Sequence, residues 1–507
     1  MTVSRQNGVG YSETERDQIA VKNPITGEVI GTIAVHTRQD VEDAVERARF
    51  AQKSWAALSV QARADIMRRW ADLVWENQNE VIRTIRRETG KTDGTAFSEM
   101  IVMDATTVFF VRNAARLLRS QSRPALIPWV HQAHVHYHPH GVVGVISPWN
   151  FPFHLPFVDL IPALIAGNAV ILKPSEIAPY SAEIGVELLY KAGVPRDVLQ
   201  IVHGDGSTGS AVVDTVDYIA FTGSTAVGRK IAARAGERLI PCSMELGGKH
   251  PSLVLSDADL DMAASGLIRG AFENAGQFCM GIERAYIDES LYEPMLNRIE
   301  HFLSLYKFGP DDGPNVYMGS LTNEREIERM EDQIRDALSK GATLMHGGKR
   351  RPDLGPLFFE PTVLINVDHS MKVMKEETFG PMLPIMKVHG TEEAIRLAND
   401  SEYGFAASIW TRDLTKGETI AKRLVFGDVT VNVSQMVVGT PSLPSGGRRA
   451  SGLGRRNGAE GLLRYVAVQS VVLNNGFGQD PELSVLDEKT LMIVKIIRAI
   501  HRMIPIF

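Results

Sequence analysis

Apolar and polar positions follow a helical period early in the chain and a strand pattern later. Between residues 38 and 118 the apolar residues recur at helical spacing, and a predicted capping box, Thr37–Asp40, opens this stretch. From Gly141 onward, short apolar runs alternate with helical segments, as expected of strands buried on both faces. The runs are Val142–Ile146, Ala169–Leu172, Tyr218–Phe221 and Leu239–Leu246. This alternation predicts βαβ units and a parallel sheet.

A second α/β series extends from about Pro251 to Asn432, so we predict an α/β fold of two doubly wound lobes. Its clearest elements are the predicted helix Glu324–Lys340 and the predicted strand Ala406–Trp410. Two strand-like stretches, Trp129–Val142 and Arg464–Leu473, lie outside the lobes. Because exposed strands attract partner chains, these stretches predict pairing of subunits into a homodimer or homotetramer.

Composition and charge exclude several classes of protein. A chain of 507 residues is too long for one core, and its net charge of −6 disfavours a nucleic-acid partner. Only two cysteines are present, so no disulfide framework is expected and a reducing cytoplasm is the predicted location. The N-terminal residues are polar, and no apolar run of about 18 residues predicts a membrane span.

The strongest candidate for chemistry is Cys279, which follows a helix predicted over Leu260–Ala275. A thiolate is a strong nucleophile when its surroundings lower its pKa, although a lone cysteine is more often simply packed. Two further groups follow predicted strands. The Asn150 amide, fixed between two prolines, is suited to stabilise an oxyanion. The Glu245 carboxyl is suited to act as a general base, and each of these residues alone has an ordinary structural explanation.

Other strand ends carry groups that suit a dinucleotide. Lys173 and Glu176 are spaced to contact the hydroxyls of an adenosine ribose, and Glu176 would repel a 2′-phosphate. A Gly-Ser turn before a predicted helix offers backbone donors to a pyrophosphate. The candidate coenzyme residues are Trp149, Lys173, Glu176, Gly223, Ser224, Gly228, Glu377 and Phe379.

Histidines at 131, 134, 136, 138 and 140 raise the question of a metal site. The last four share one face of a regular strand. No cysteine or carboxylate lies between them and Pro139 interrupts the segment, so we expect no metal and interpret the stretch as an exposed or subunit-facing strand.

Taken in order, six of these motifs resemble the NAD(P)-dependent aldehyde dehydrogenase superfamily over about residues 20–475. The interval from Glu245 to Cys279, 279 − 245 = 34 residues, is also similar to that of the family. The resemblance implies that Cys279 is the nucleophile, that Glu245 is the general base and that Asn150 forms the oxyanion hole with the Cys279 backbone N–H. It further implies NAD as the coenzyme, with NADP as an alternative, and an aldehyde as the small-molecule substrate.

The resemblance also implies a division into domains. Residues 1–120 and 140–247 would bind NAD, and residues 248–447 would form the catalytic domain. Residues 121–139 and 462–475 would provide oligomerisation strands. Residues 476–507, which the family does not normally have, are predicted from their own pattern to form an amphipathic C-terminal extension.

Two features depart from the family pattern. Glu273 stands where members that oxidise succinic semialdehyde commonly carry arginine, which disfavours a carboxylate-bearing substrate. The extension carries a basic amphipathic stretch, Leu491–Ile504, typical of peripheral contact with a membrane or of docking on a subunit or the substrate entrance.

We therefore predict NAD-dependent oxidation of a long or hydrophobic aldehyde to its acid through a thiohemiacetal and a thioester. The alternatives are a semialdehyde dehydrogenase, a CoA-acylating relative, a non-catalytic binding protein and a cysteine hydrolase, the last of which needs a histidine near Cys279.

Overall fold

A computed structural model of the chain describes residues 17–125, 131–310, 313, 316–475 and 488–503. Most of the predicted N-terminal arm, Trp129 and residues 476–487 and 504–507 of the extension lie outside these ranges. The fold is α/β with two doubly wound lobes, as predicted, and two smaller antiparallel sheets accompany them.

The first lobe is built on a six-stranded sheet in the order β17-β9-β8-β5-β6-β7. Five strands are parallel and β17 is antiparallel to β9. Every position of β5, β6 and β8 is buried, because helices cover both faces of the sheet. The strands are β5 Val142–Ile146, β6 Ala169–Lys173, β7 Leu199–Ile201, β8 Tyr218–Thr222, β9 Cys242–Glu245 and β17 Gly452–Leu453.

Helices precede and surround this sheet. The Thr37–Asp40 capping box is present at the start of the first helix, as predicted. The helices of this lobe are α1 Arg38–Ala57, α2 Val60–Glu76, α3 Gln78–Thr89, α4 Asp93–Leu117, α5 His154–Ile165, α6 Tyr180–Ala192, α7 Gly206–Thr215, α8 Thr225–Glu237 and α15 Gly458–Leu463.

The second lobe has a seven-stranded sheet in the order β12-β13-β14-β11-β10-β15-β16, parallel except for β12. Its strands are β10 His250–Val254, β11 Ile282–Asp288, β12 Thr343–His346, β13 Thr362–Ile365, β14 Met382–Val388, β15 Ala406–Trp410 and β16 Asp428–Val431. Its helices are α9 Leu260–Phe272, α10 Tyr292–Leu305, α11 Glu324–Ser339, α12 Lys372–Lys375, α13 Gly390–Asn399 and α14 Leu414–Ala421.

The stretches outside the lobes form the two small sheets. β1 Gln18–Lys22 pairs with β2 Val29–Ala34, and β3 Gln121–Arg123 and β18 Val466–Asn474 flank β4 His131–Pro139. β18 is mostly exposed, with Val468, Val472 and Leu473 each more than half exposed. The described part of the C-terminal extension is one helix, α16 Glu488–Met503.

Three predicted boundaries are wrong. The strand expected over Leu239–Leu246 covers only β9, because Leu239 adopts a left-handed φ of 54° in an exposed turn. The helix expected from Ser98 begins at Asp93, where Thr92 caps it. The helix expected to reach Ala275 ends at Phe272, and a short 3-10 turn, Glu273–Gly276, replaces its last residues.

Within the described ranges, α4 is the one helix with the length and apolarity of a membrane span. It packs against α2 and α5, and Met100, Met103 and Phe110 are buried in the first lobe. These contacts are those of a core helix.

Candidate active site

A cavity of about 600 Å³ brings Cys279 and Glu245 together. Both lobes line it, the first through α5 and the end of β9, and the second through α9 and the loop that follows β16. Its walls are largely apolar, with Phe151, Leu155 and Val158 from the first lobe and Met262, Phe405 and Trp410 from the second.

The loop before Cys279 has an unusual backbone. Asn274, Ala275 and Gly276 have φ angles of 54°, 53° and 69°, a left-handed conformation that is costly for alanine. Gly276 is required here, because a Cβ on it would lie 2.1 Å from the carbonyl oxygen of Gly380. The loop therefore turns sharply after α9 and is held by close contact with the Gly380 turn.

Hydrogen bonds fix this loop against Asn150. The Asn274 side-chain amide donates to the carbonyls of Asn150 and Gln277, both at 3.0 Å. The Gln277 amide donates to the Asn274 carbonyl at 3.0 Å, and its Oε1 accepts from the Thr322 backbone at 2.9 Å. Asn150 donates one side-chain N–H to the Gln277 carbonyl at 3.1 Å. A side-chain amide has two N–H donors, and the second N–H of Asn150 makes no hydrogen bond with a described residue.

Burial shifts the pKa of both candidate reactive groups. The Cys279 side chain is half-buried, and loss of solvation raises its pKa to about 12 despite the opposing influence of Arg456. Glu245 is fully enclosed, and the same cause raises its pKa to about 7. Neither of its carboxylate oxygens has a hydrogen-bond partner among the described residues. A carboxyl with a pKa near neutrality is suited to proton transfer.

A network of charged groups lies behind Glu245. Arg456 donates from Nε to Asp159 at 3.1 Å and from Nη2 to the same carboxylate at 2.5 Å, and Nη2 also contacts Thr222. Asp159 accepts further bonds from Arg464 and from the Tyr465 hydroxyl. The two arginines hold the pKa of Asp159 below its ordinary value against the effect of burial.

A second cleft, of about 500 Å³, collects the predicted adenosine and pyrophosphate residues. Lys173 donates to Glu176 at 2.9 Å, and the cleft continues along Gly223 and Ser224. Ser224 caps α8. Gly228 lies in the first turn of α8, where a Cβ would meet Leu246 at 2.3 Å. The cleft thus follows strand ends to a helix N-terminus, which suits a dinucleotide.

The remaining predicted coenzyme residues, Trp149, Glu377 and Phe379, lie outside the linings of the cleft and the cavity. The rings of Trp149 and Phe379 meet edge to face at 5.7 Å, and Glu377 accepts from the Gly248 backbone at 2.9 Å. Burial and the nearby Glu283 raise the pKa of Glu377 to about 7.

A buried ion pair organises that segment. Lys249 donates to Glu283 at 2.7 Å and to the Thr378 hydroxyl at 2.9 Å. Glu283 in turn accepts from the backbones of Thr378 and Phe379 at 2.8 and 3.0 Å. Phe379 has a left-handed φ of 55°, so these bonds hold a strained conformation.

The structure adds several residues to the predicted set. Asn274, Lys249, Glu283, Asp159, His154 and Arg456 all position or line the site. One signal was available for Asn274, since asparagine before Ala-Gly is the non-glycine residue that best tolerates a left-handed φ. The other residues contact segments that are distant in the sequence, and the sequence around each of them does not indicate those contacts.

The β4 histidines make separate contacts. His136 is bonded to Ser120 at 2.8 Å, His138 to Gln469 at 2.9 Å and His140 to the Arg464 carbonyl at 3.1 Å. No group of three or more potential metal ligands occurs in the part of the chain that the structure describes.

Comparison with known proteins places this geometry in context. A model described as "Aldehyde dehydrogenase family" matches residues 11–471. A protein named "Putative succinate-semialdehyde dehydrogenase [NADP(+)] 2" from Mycobacterium ulcerans is 44% identical over 462 residues, covering 91% of this chain and 89% of its own. A 4,4'-diapolycopene aldehyde oxidase from Methylomonas sp is 38% identical, covering 88% and 84%. The solved Mycobacterium tuberculosis aldehyde dehydrogenase complexed with NAD+ superposes with a TM-score of 0.88 at 33% identity, covering 92% and 96%.

Proposed function

The chain belongs to the aldehyde dehydrogenase family, and we propose that it oxidises apolar aldehydes to carboxylic acids through Cys279. The observation that carries this proposal is the single cavity that holds a half-buried thiol, an unpartnered carboxyl and apolar walls. We further propose that residues 1–120 and 140–247 bind the coenzyme and that residues 248–447 provide the catalytic domain.

In the proposed mechanism, Glu245 takes the proton of Cys279 and the sulfur attacks the aldehyde carbon. The resulting oxyanion accepts hydrogen bonds from the free Asn150 N–H and from the Cys279 backbone N–H. When bound, NAD(P)+ would supply the acceptor for the hydride that leaves the thiohemiacetal to give a thioester, and Glu377 and Phe379 would hold its nicotinamide end. Glu245 releases the proton that it took from Cys279 to solvent. It then removes a proton from water, whose oxygen attacks the thioester carbon, so that the C–S bond breaks and the acid leaves.

The coenzyme class is NAD(P), and we propose that NAD is preferred. Glu176 lies in the adenosine cleft, where its carboxylate would accept from a free 2′-hydroxyl and repel a 2′-phosphate. Lys173 donates a hydrogen bond of 2.9 Å to Glu176 and holds its carboxylate in place in the cleft. Glu377 and Phe379 would contact the nicotinamide end.

The substrate proposal rests on the walls and the mouth of the cavity. Glu273 lines the cavity beside Arg269, with which it makes a distant ion pair at 3.9 Å. Burial raises the pKa of Glu273, so an arriving substrate carboxylate would meet a carboxyl group at this wall, and the neighbouring Arg269 side chain is 80% exposed to solvent. Ser98, Ser265, Arg269 and Glu273 also line an outer groove of about 1480 Å³, which gives a long chain room to extend.

The second candidate is a semialdehyde dehydrogenase, which the name of the Mycobacterium ulcerans relative favours. A substrate panel distinguishes the two candidates. Hexanal, decanal, benzaldehyde and succinic semialdehyde are each assayed with NAD and with NADP, and the acid and the reduced coenzyme are quantified. We expect the highest kcat/KM for the apolar aldehydes with NAD and no turnover by Cys279→Ala. Turnover by Cys279→Ala at the wild-type rate would refute the mechanism, and a preference for succinic semialdehyde would select the alternative.

A panel supplemented with coenzyme A tests the acylating alternative. Glu245 in the cavity supports hydrolysis by water, so the acid is the expected product and acyl-CoA is not. His154 lines the same cavity, but burial lowers its pKa to about 3 and Arg456 opposes its protonation, so it is unsuited to be the base of a cysteine hydrolase.

We propose that subunits pair through β18 and β3, whose outer edges are open in the three-stranded sheet. The exposed Val468, Val472 and Leu473 give this surface an apolar character. Light scattering is expected to report a dimer or tetramer, and Val468→Glu/Val472→Glu is expected to lower the mass. A monomeric wild-type protein would exclude pairing.

We also propose a cytoplasmic enzyme that contacts membranes peripherally through α16. This helix exposes Leu491, Met492 and Ile496 together with Lys495 and Arg498, a combination that suits an anionic lipid surface. Deleting residues 476–507 is expected to abolish sedimentation with phosphatidylglycerol vesicles and to leave hexanal oxidation unchanged. Equal sedimentation of both forms would exclude the contact.

A further inference from the structure

The cavity around Cys279 contains a buried cation that the proposed steps do not use. Arg456 lines the cavity, and its side chain is only 10% exposed. Its Nε and Nη2 are committed to Asp159 and Thr222. Nη1 makes no hydrogen bond with any described residue. It is not fully enclosed by protein, and since Arg456 lines the cavity, Nη1 faces it.

The charged side chains close to Glu245 carry a net positive charge. Arg456 and Arg464 are paired with a single carboxylate, Asp159, so the cluster carries a net charge of +1. Glu245 is fully buried beside it without a hydrogen-bond partner. An isolated buried charge is very costly, so the ionised Glu245 and the cationic cluster stabilise each other.

We propose that Arg456 is a positioning residue whose fixed positive charge stabilises the one negative charge that Glu245 and the Cys279 sulfur share. The inference rests on the roles proposed above for these two residues. In this role Arg456 promotes formation of the Cys279 thiolate, and the apolar walls of the cavity bind the substrate.

The proton transfer that Arg456 assists is balanced within the site. The S–H bond of Cys279 breaks and an O–H bond forms on Glu245, while the negative charge passes from the carboxylate to the sulfur. The total charge of the cavity stays the same and no oxidant is needed. Because Arg456 interacts with both Glu245 and Cys279, the negative charge stays close to a positive charge throughout the proton transfer.

Other charged groups also affect the pKa values of Glu245 and Cys279. Besides the effect of burial, Glu245 and Glu377 raise the pKa of Cys279, and Arg456 lowers it. At Glu245, Arg456 and Arg464 oppose burial, Asp159 and Asp428. His154 is neutral near pH 7 and contributes no charge. Arg456 is therefore the cation common to both groups.

The test measures thiolate formation without turnover, in the full chain with Cys242→Ser so that one thiol remains. The rate of alkylation by iodoacetamide is followed against pH, with no aldehyde or coenzyme present. The midpoint of this rate–pH profile is the pH at which Glu245 and Cys279 together lose the proton that leaves them one shared negative charge. We expect R456Q and R456M to raise this midpoint by about one pH unit or more, which corresponds to about tenfold slower alkylation at pH values below it. R456K, which keeps the charge, is expected to remain near wild type.

The variants are expected to fold, because Asp159 keeps Arg464 and Tyr465 as partners when Arg456 is changed. Asp159→Asn gives an independent measurement: it raises the net charge of the cluster to +2 and is expected to lower the midpoint. Wild-type midpoints in R456Q and R456M, or in Asp159→Asn, would overturn the proposal.

Substrate kinetics separate this role from substrate binding. We expect R456Q to reduce kcat/KM for hexanal and succinic semialdehyde by the same factor. A loss confined to succinic semialdehyde, through KM, would assign Arg456 to carboxylate binding and overturn the proposal. Turnover by Cys279→Ala would refute the proposed function, whereas the alkylation midpoints report on Arg456 alone.

Discussion

The side-chain amide of Asn274 donates a hydrogen bond of 3.0 Å to the backbone carbonyl of Asn150. One residue lies in the loop of the nucleophile and the other in the loop of the oxyanion donor, 124 positions apart in the chain. The same amide also bonds the Gln277 carbonyl, which accepts from Asn150. Asn274 therefore fixes the distance between the proposed nucleophile and its oxyanion donor.

Asn274→Ala removes both bonds and places alanine at a left-handed φ of 54°. We expect about 1–3 kcal/mol lower stability and a kcat reduced by about 100-fold, since small displacements of reacting groups are costly. Thermal unfolding and steady-state kinetics with hexanal measure the two effects.

Asn366→Ala is the matched control, because exposed Asn366 has a similar φ of 57° and bonds Thr343 at 3.2 Å. We expect the control to lose some stability and keep its kcat. If both variants keep a wild-type kcat, Asn274 does not position the reacting groups.

The pH dependence of the reaction follows from Glu245. The general base acts only when ionised, and burial raises its pKa to about 7. The steady-state rate is therefore expected to fall about tenfold per pH unit below that value. In E245Q we expect no rapid burst of NADH and a steady-state rate lower by at least about 100-fold, because Glu245 takes the proton of Cys279 before hydride transfer and the proton of water after it. A full burst in E245Q, or a steady state equal to wild type, would contradict one of these roles.

The same group makes a prediction for stability. The ordinary pKa of a glutamate is 4.5, and in the folded protein that of Glu245 is about 7. The folded state therefore binds more protons than the unfolded state between these values, and stability falls as pH rises through this window. The difference corresponds to about 3 kcal/mol above pH 7.

E245Q removes this loss, because glutamine does not ionise. Chemical denaturation is expected to show E245Q more stable than wild type at pH 8 and equal to it near pH 4. E46Q, on the exposed side of α1, serves as the control and is expected to show no pH-dependent difference. A gain at pH 4 as large as at pH 8 would indicate a packing effect instead.

The sheets of both lobes were predictable because continuous apolar runs such as Val142–Ile146 match strands buried on both faces. Motifs at strand and helix ends predict the proposed reactive trio of Cys279, Glu245 and Asn150. What local pattern could not supply was long-range electrostatics: Arg456 lies 297 positions from Asp159, and nothing near either residue indicates the pair. The end of α9 was also misjudged, because tertiary bonds to Asn274 hold a backbone that propensity disfavours.

Coenzyme preference is predicted to depend on one carboxylate. Glu176→Gln keeps the shape of the side chain and removes the charge that would repel a 2′-phosphate. We expect kcat/KM to rise about tenfold with NADP and to fall severalfold with NAD. Measurements with both coenzymes at saturating hexanal give the ratio. A ratio unchanged from wild type would exclude Glu176 from coenzyme discrimination.

We predict that Glu273 influences the preference of the enzyme between charged and uncharged aldehydes. Its carboxyl lines the Cys279 cavity, and Arg269 reaches it only at 3.9 Å from a side chain that is 80% exposed. Glu273→Arg places a cation at this wall, where a semialdehyde carboxylate would find a partner in a poorly solvated site. We expect the ratio of kcat/KM for succinic semialdehyde to that for hexanal to rise by about 10–100-fold, as one charge-assisted contact allows. Glu273→Gln separates removal of the negative charge from addition of the positive one, and its ratio is expected to lie between wild type and Glu273→Arg. If Glu273→Arg leaves the ratio unchanged while the protein remains folded, the substrate lies against another wall of the cavity.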